Sequence, residues 1–94
     1  MKIIFTPESI SDLKYLREFI AKNSPEAANK IAKTLLTEIN KLKIFPNLGI
    51  EVKKAKSNMI RDLILGDYIV RYLVLKETIH ILRIWHHKED WNKK

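Results

Sequence analysis

The stretch Thr78-Ile79-His80-Ile81-Leu82-Arg83-Ile84-Trp85-His86-His87 decides the fold. Its apolar residues Ile79, Ile81, Leu82, Ile84 and Trp85 fall on both sides of the two-residue alternation of an extended chain. Such a strand is buried on both faces, as a central strand of a sheet is. Working outward, Tyr68 to Leu75 is a β-branched and aromatic strand, and Lys76-Glu77 makes the turn between the two. Gly66-Asp67 is a hairpin signal, and Met59 to Leu65 reads as the strand before it. Further upstream, Ile50 and Val52 alternate with Glu51 and Lys53. A basic stretch through Lys54 and Lys56 then leads to the turn-like Ser57-Asn58.

The first half follows a different period. Lys2 to Phe5 is a short β-prone run that ends at Thr6-Pro7-Glu8, where Thr6 caps a helix and Pro7 fits its first turn. From Ile10, the apolar positions Leu13, Leu16, Phe19 and Ile20 recur at helical spacing, with Asp12, Lys14, Arg17 and Glu18 between them, to about Lys22. Ser24-Pro25-Glu26 repeats the start signal at once. Ala27, Ala28, Ile31, Ala32, Leu35, Ile39 and Leu42 then mark the apolar stripe of a second helix, and Pro46 with Gly49 breaks it, Gly49 allowing a sharp turn. A connection this short favours an antiparallel helical hairpin. The pattern is α+β: an antiparallel sheet of four to five strands, mixed at the N-terminal strand, with an N-terminal helical hairpin packed on one face. The other face is left partly open, with apolar and basic residues pointing to it, which suits a binding surface.

Size and composition bound the function. Ninety-four residues, 46% of them hydrophobic, suffice for one domain, residues 1–94, and one core. No signal peptide and no run of eighteen apolar residues is evident, so the expected compartment is the cytoplasm and no membrane is involved. Without cysteine there is no disulfide framework and no thiolate metal site, and redox chemistry is excluded. No cofactor is implied. Eighteen Lys and Arg against eleven Asp and Glu give a net charge of +7, which calls for an anionic partner: nucleic acid, an anionic surface or an acidic protein segment.

The order of elements and several local strings resemble the RelE/ParE superfamily of toxins from type II toxin–antitoxin systems. The strings are Ser24-Pro25 with Ala27 or Ala28, Leu42 followed by Pro46 and Gly49, and Arg61 with Leu63. Tyr68 and Tyr72 share one strand, and Ile81-Leu82-Arg83-Ile84-Trp85-His86 is followed by Lys88-Glu89-Asp90. The resemblance implies a growth-inhibiting toxin of the kind used in plasmid stabilisation, held in a heteromeric complex by a cognate antitoxin whose acidic or amphipathic C-terminal segment wraps it. It implies one of two targets: DNA gyrase in the ParE-like branch, or mRNA on the ribosome in the RelE-like branch. In the ribonucleases, basic residues alternate on the strand before the core hairpin, an Arg follows the first Tyr of the core strand, and a Tyr stands in the tail. Here Ile60, Asp62 and Ile69 occupy the first three positions, and Trp91 does not replace the Tyr. These departures place the chain closer to the ParE-like branch.

If the ribonuclease reading holds, Arg61, Arg83 and His86 are the catalytic candidates. Cleavage without metal needs a base, an acid and cations for the developing phosphate charge. His86 and His87 sit at a strand end where successive side chains diverge, so at most one of them faces a groove, and as metal ligands the pair is unsupported. Arg61, Arg71 and Arg83 interrupt apolar strands, where an unpaired charge costs several kcal/mol. Each therefore needs either an anionic ligand or an internal carboxylate such as Asp62 or Asp67. Lys53, Lys54 and Lys56 form a basic edge that would steer phosphate or prevent sheet-to-sheet pairing. Arg71, Trp85, His87 and Lys88 complete the candidate binding set, and Tyr68, Tyr72 and Trp85 fit sheet packing or base stacking. The register of the last hairpin stays open, because two-residue and three-residue turns at Lys76-Glu77 give opposite pairings of Arg71 and Arg83.

Overall fold

Thr6 joins the first strand to the first helix with a small set of hydrogen bonds. Its backbone N–H donates to Ile81 O, and its hydroxyl lies 2.9 Å from Ile81 O and 3.1 Å from Leu82 O while accepting Ser9 N–H. One residue thus ends β1 (Lys2–Phe5), caps α1 (Pro7–Ala21) and ties both to the last strand. Ser24 caps α2 (Pro25–Asn40) by accepting Ala27 N–H, and a short 3₁₀ turn, η1 (Lys41–Lys43), extends it. Strands β2 (Ile50–Glu51), β3 (Ile60–Leu65), β4 (Tyr68–Val74) and β5 (Thr78–His86) follow. The computed structural model describes residues 1–55, 57 and 59–88. The expectations for Lys56, Asn58, Glu89, Asp90 and Trp91 lie outside the described residues.

The sheet has the order β1-β5-β4-β3-β2, with β1 parallel to β5 and the other pairs antiparallel. The helical hairpin packs on one face, with α1 lying along β5. The core forms between them from Leu16, Leu35, Ile39, Leu42, Leu63, Val70, Tyr72, Ile79, Ile81 and Ile84. The long apolar stretch is therefore an interior strand, flanked on both sides, as its composition predicts.

Four details differ from the sequence reading. Along α1, Leu16 is buried and Leu13 packs against the core, but Ile10 and Phe19 are exposed and Asp12 is buried instead. The inward stripe of α1 is thus narrower than its apolar composition, and a carboxylate occupies part of it. Strand β2 is two residues long, so Lys53 and Lys54 lie in a turn and are not edge-strand residues. His87 lies beyond the end of β5, and the rings of His86 and His87 stack at 5.1 Å instead of diverging. Gly49 has no positive φ; among the described residues Gly66 alone does, at +61°. Gly49 is required for space, since a Cβ there would lie 2.8 Å from Asp62 O and from the Tyr72 ring and hydroxyl.

The register left open by the sequence is decided by a β-bulge. Leu75 N–H donates to Thr78 O, which closes a two-residue turn at Lys76-Glu77, and Val74 faces Ile79. Uninterrupted pairing from there would set Arg71 opposite Leu82. The ladder shifts between Tyr72 and Arg71, so Tyr72 faces Ile81 while Arg71 faces Arg83. Leu82 is the extra residue. Bulge and turn together place two arginines opposite each other on neighbouring strands.

Candidate functional site

Two guanidinium groups at directly opposed strand positions repel unless each is neutralised. Here each has its own carboxylate. Arg71 donates from Nε and Nη2 to Asp62 at 2.8 and 3.0 Å, and its guanidinium carbon lies 5.1 Å from the centre of the Trp85 ring. Arg83 donates in the same fork geometry to Asp12 at 2.8 and 3.0 Å. Asp12 also accepts the backbone N–H of Ile84 at 2.9 Å. One nearly buried carboxylate on α1 thus clamps both the side chain and the backbone of the last strand. Hydrogen bonding to these carboxylates holds both guanidinium groups above their ordinary pKa, against the opposing effect of burial.

Arg61 is held differently. Its Nη1 donates to Gly49 O at 2.8 Å, with Asn47 O at 3.5 Å. Tyr72, opposite Arg61 on β4, is fully buried; its hydroxyl donates to Pro46 O and accepts Gly49 N–H, each at 2.8 Å. Burial pushes the Tyr72 pKa up, partly offset by the Gly49 N–H that would stabilise a phenolate. Tyr68 is raised as well, by burial first and Asp67 second.

Of the sequence candidates, the structure brings Arg71, Arg83 and Trp85 together on the central strands. His86 stands at the other end of the β4–β5 hairpin from the turn, opposite Tyr68 and edge-on to its ring at 5.2 Å. Its Nδ1 accepts Lys88 N–H, and His87 N–H donates to Asp67 O. Arg61 pairs with Tyr72, four residues along β4 from Tyr68. At about 3.3 Å per residue, that separates the positions of Arg61 and His86 by roughly 13 Å along the strands. Arg61 and His86 thus stand toward opposite ends of the strand ladder, with the position of Arg83 between them. Lys53, Lys54, His87 and Lys88 are exposed.

The sequence reading missed Asp12, which it placed among the polar residues between apolar positions. The available signal was its spacing, four residues before Leu16 on the inward stripe. It also missed a groove of about 960 Å³ between α2 and β1. Ile3, Phe5, Leu36 and Ile39 give it an apolar floor, and Lys2, Arg17, Lys33 and Lys43 surround it, with no carboxylate lining it among the described residues. Strand β1 ends the sheet order, so among the described residues no strand pairs with its outer edge. No group of three or more His, Cys, Asp or Glu among the described residues is placed to hold a metal, and no described helix is long and apolar enough to cross a membrane.

Comparison with known proteins gives concordant matches. Residues 3–91 match the family described as ParE toxin of type II toxin-antitoxin system, parDE. Toxin RelE2 of Caulobacter vibrioides is 29% identical over 85 residues, covering 90% of this chain and 93% of its own length. A solved structure of the chromosomal ParDE TA system from P. aeruginosa matches the fold with a TM-score of 0.75, over 92% of this chain and 95% of that chain, at 22% identity.

Proposed function

The chain belongs to the ParE toxin family of type II toxin–antitoxin systems, and from that membership we propose that it arrests growth by binding a protein target, DNA gyrase, and not by cutting mRNA. The observation that carries this reading is the engagement of the strand arginines. Arg71 and Arg83 are each held by a carboxylate fork, and Arg61 is committed to loop carbonyls. A phosphoryl-transfer site needs cations aimed in advance at the developing charge, since reorganising them during reaction forfeits most of their effect. Swapping a fork-bound carboxylate for a phosphate would break two charge-assisted hydrogen bonds for each arginine. The dispersal of Arg61, Arg83 and His86 along the strands points the same way.

The family implies an antitoxin partner. The cation-ringed groove beside β1 suits it: an acidic amphipathic segment would set apolar side chains on Ile3, Phe5, Leu36 and Ile39 and carboxylates near Arg17, Lys33 and Lys43. The RelE-like alternative, an mRNA endonuclease using Arg61, Arg83 and His86, draws on the similarity to a toxin named RelE2.

One induction experiment separates the two. Expression of the chain without antitoxin is expected to produce gyrase-dependent DNA breaks and an SOS response with intact mRNA. Codon-dependent mRNA cuts that vanish in a His86→Ala variant with the thermal midpoint of wild type would replace this reading with the endonuclease.

A further inference from the structure

The loop that follows η1 holds three large apolar side chains out in water: Ile44 is 75% exposed, Phe45 57% and Leu48 49%. Exposed apolar residues on a loop are ordinary when scattered, but these are consecutive or one turn apart, and their backbone is fixed. Phe45 N–H donates to Lys41 O at 2.9 Å, and Leu48 N–H donates to Phe45 O at 3.1 Å, closing the turn. From beneath, the fully buried Tyr72 grips Pro46 O and Gly49 N–H, and Arg61 grips Gly49 O. A core tyrosine and a strand arginine are thus spent on fixing one surface turn. Filling the core alone does not require Ile44, Phe45 and Leu48 to be apolar, because their side chains lie outside it.

We propose that this turn is a rigid apolar knob by which the toxin grips its protein target, inserting Phe45 and Leu48 into an apolar pocket edged by carboxylates. The proposal rests on the toxin reading above. A preordered loop loses little entropy on binding, and aromatic anchors in a desolvated pocket carry most of an interface's energy. Charge selects the pocket's edge. From Lys41 to Ala55 the chain carries Lys41, Lys43, Lys53 and Lys54 against Glu51 alone. Lys43, Lys53 and Lys54 are exposed, whereas Lys41 is paired with Glu38. Exposed lysines flanking the turn in sequence disfavour a second copy of this chain, whose net charge is +7, and favour a partner with acidic groups. The knob begins where the groove beside β1 stops: Lys43 lines that groove, and Ile44, Phe45 and Leu48 do not. Target and antitoxin thus have separate primary contacts.

The test compares wild type with Phe45→Ser, Leu48→Ser and Lys53→Glu in three measurements: the inducer dose that arrests growth, the affinity for the cognate antitoxin, and the thermal midpoint. The two serine variants are expected to need at least tenfold more inducer, and Lys53→Glu several-fold more, with antitoxin affinity within twofold of wild type and the midpoint nearly unchanged. Should one serine substitution lower the midpoint, the other decides. Unchanged arrest in all variants overturns the knob while leaving the toxin reading intact. A parallel fall in antitoxin affinity overturns it too, by assigning the surface to the antitoxin. Absence of arrest by the wild type at any dose refutes the toxin reading itself, and the proposal with it.

Discussion

Replacing Asp12 by alanine removes three acceptor contacts at once. The carboxylate takes two hydrogen bonds from Arg83 and one from Ile84 N–H, with only 8% of its side chain exposed. Removing one partner of a buried ion pair costs about 3–5 kcal/mol, because the other charge is stranded. The Arg83 side chain is 35% exposed, and Glu8 also acts on it, so water and that neighbour absorb part of the loss. The orphaned Ile84 amide adds about 1–3 kcal/mol, since a buried donor without acceptor carries its full desolvation penalty. After discounting for exposure, Asp12→Ala is expected to destabilise by about 3 kcal/mol, which for a domain of this size lowers the melting midpoint by roughly 12–24 °C. Asp12→Asn keeps an acceptor for the Ile84 amide and loses the charge, so about half the effect is expected. Urea and thermal denaturation followed by circular dichroism measure both variants. A double-mutant cycle with Arg83→Ala then isolates the pairwise part. If Asp12→Ala melts within 2 °C of wild type, the clamp is not what holds α1 to β5, and the reasoning fails.

Three further outcomes are expected. Gly49→Ala forces a Cβ to 2.8 Å from Asp62 O and the Tyr72 ring; at least one contact is backbone, so a loss of about 1–3 kcal/mol should appear in the same denaturation assay. Tyr72 has a raised pKa in the folded protein. Its contribution is therefore fully present below pH ~10 and is lost as pH rises past that value, where the unfolded chain releases the proton first. Tyr72→Phe should lower stability at neutral pH by about 1–3 kcal/mol and flatten this alkaline decline; an unchanged slope would show that another group titrates there. Lys33→Glu, on the margin of the groove beside β1, should weaken antitoxin binding and reduce its salt dependence while leaving growth arrest by the free toxin intact, as titration calorimetry at two ionic strengths would report.

The local elements were legible because each is written in short-range chemistry. Thr6-Pro7 and Ser24-Pro25 start the helices where capping hydroxyls and a fixed φ predict, and Gly66 turns the hairpin with the one positive φ among the described residues. The two-faced apolar run from Ile79 to Trp85 could only be an interior strand, and burial depends on composition in that way. Arginines in apolar strands announced that partners must exist, since an unpaired charge there is too costly.

Arg71 took Asp62, one of the carboxylates the sequence offered, but the partner of Arg83 was a matter of tertiary structure. Asp12 is 71 residues from Arg83 in sequence, and nothing local links a carboxylate on the first helix to a guanidinium on the last strand. Arg71 faces Arg83 only because a bulge at Leu82 adds one residue to a two-residue hairpin. A bulge satisfies constraints from the whole sheet, here including the bonds from Thr6 to Ile81 and Leu82. Gly49 likewise reads as a turn residue in sequence, while in the fold it is a space left for a tyrosine 23 positions away. The sequence determined that the closing strand is central and that its charge must be answered; long-range packing alone decided that the answer is a carboxylate of the protein's own.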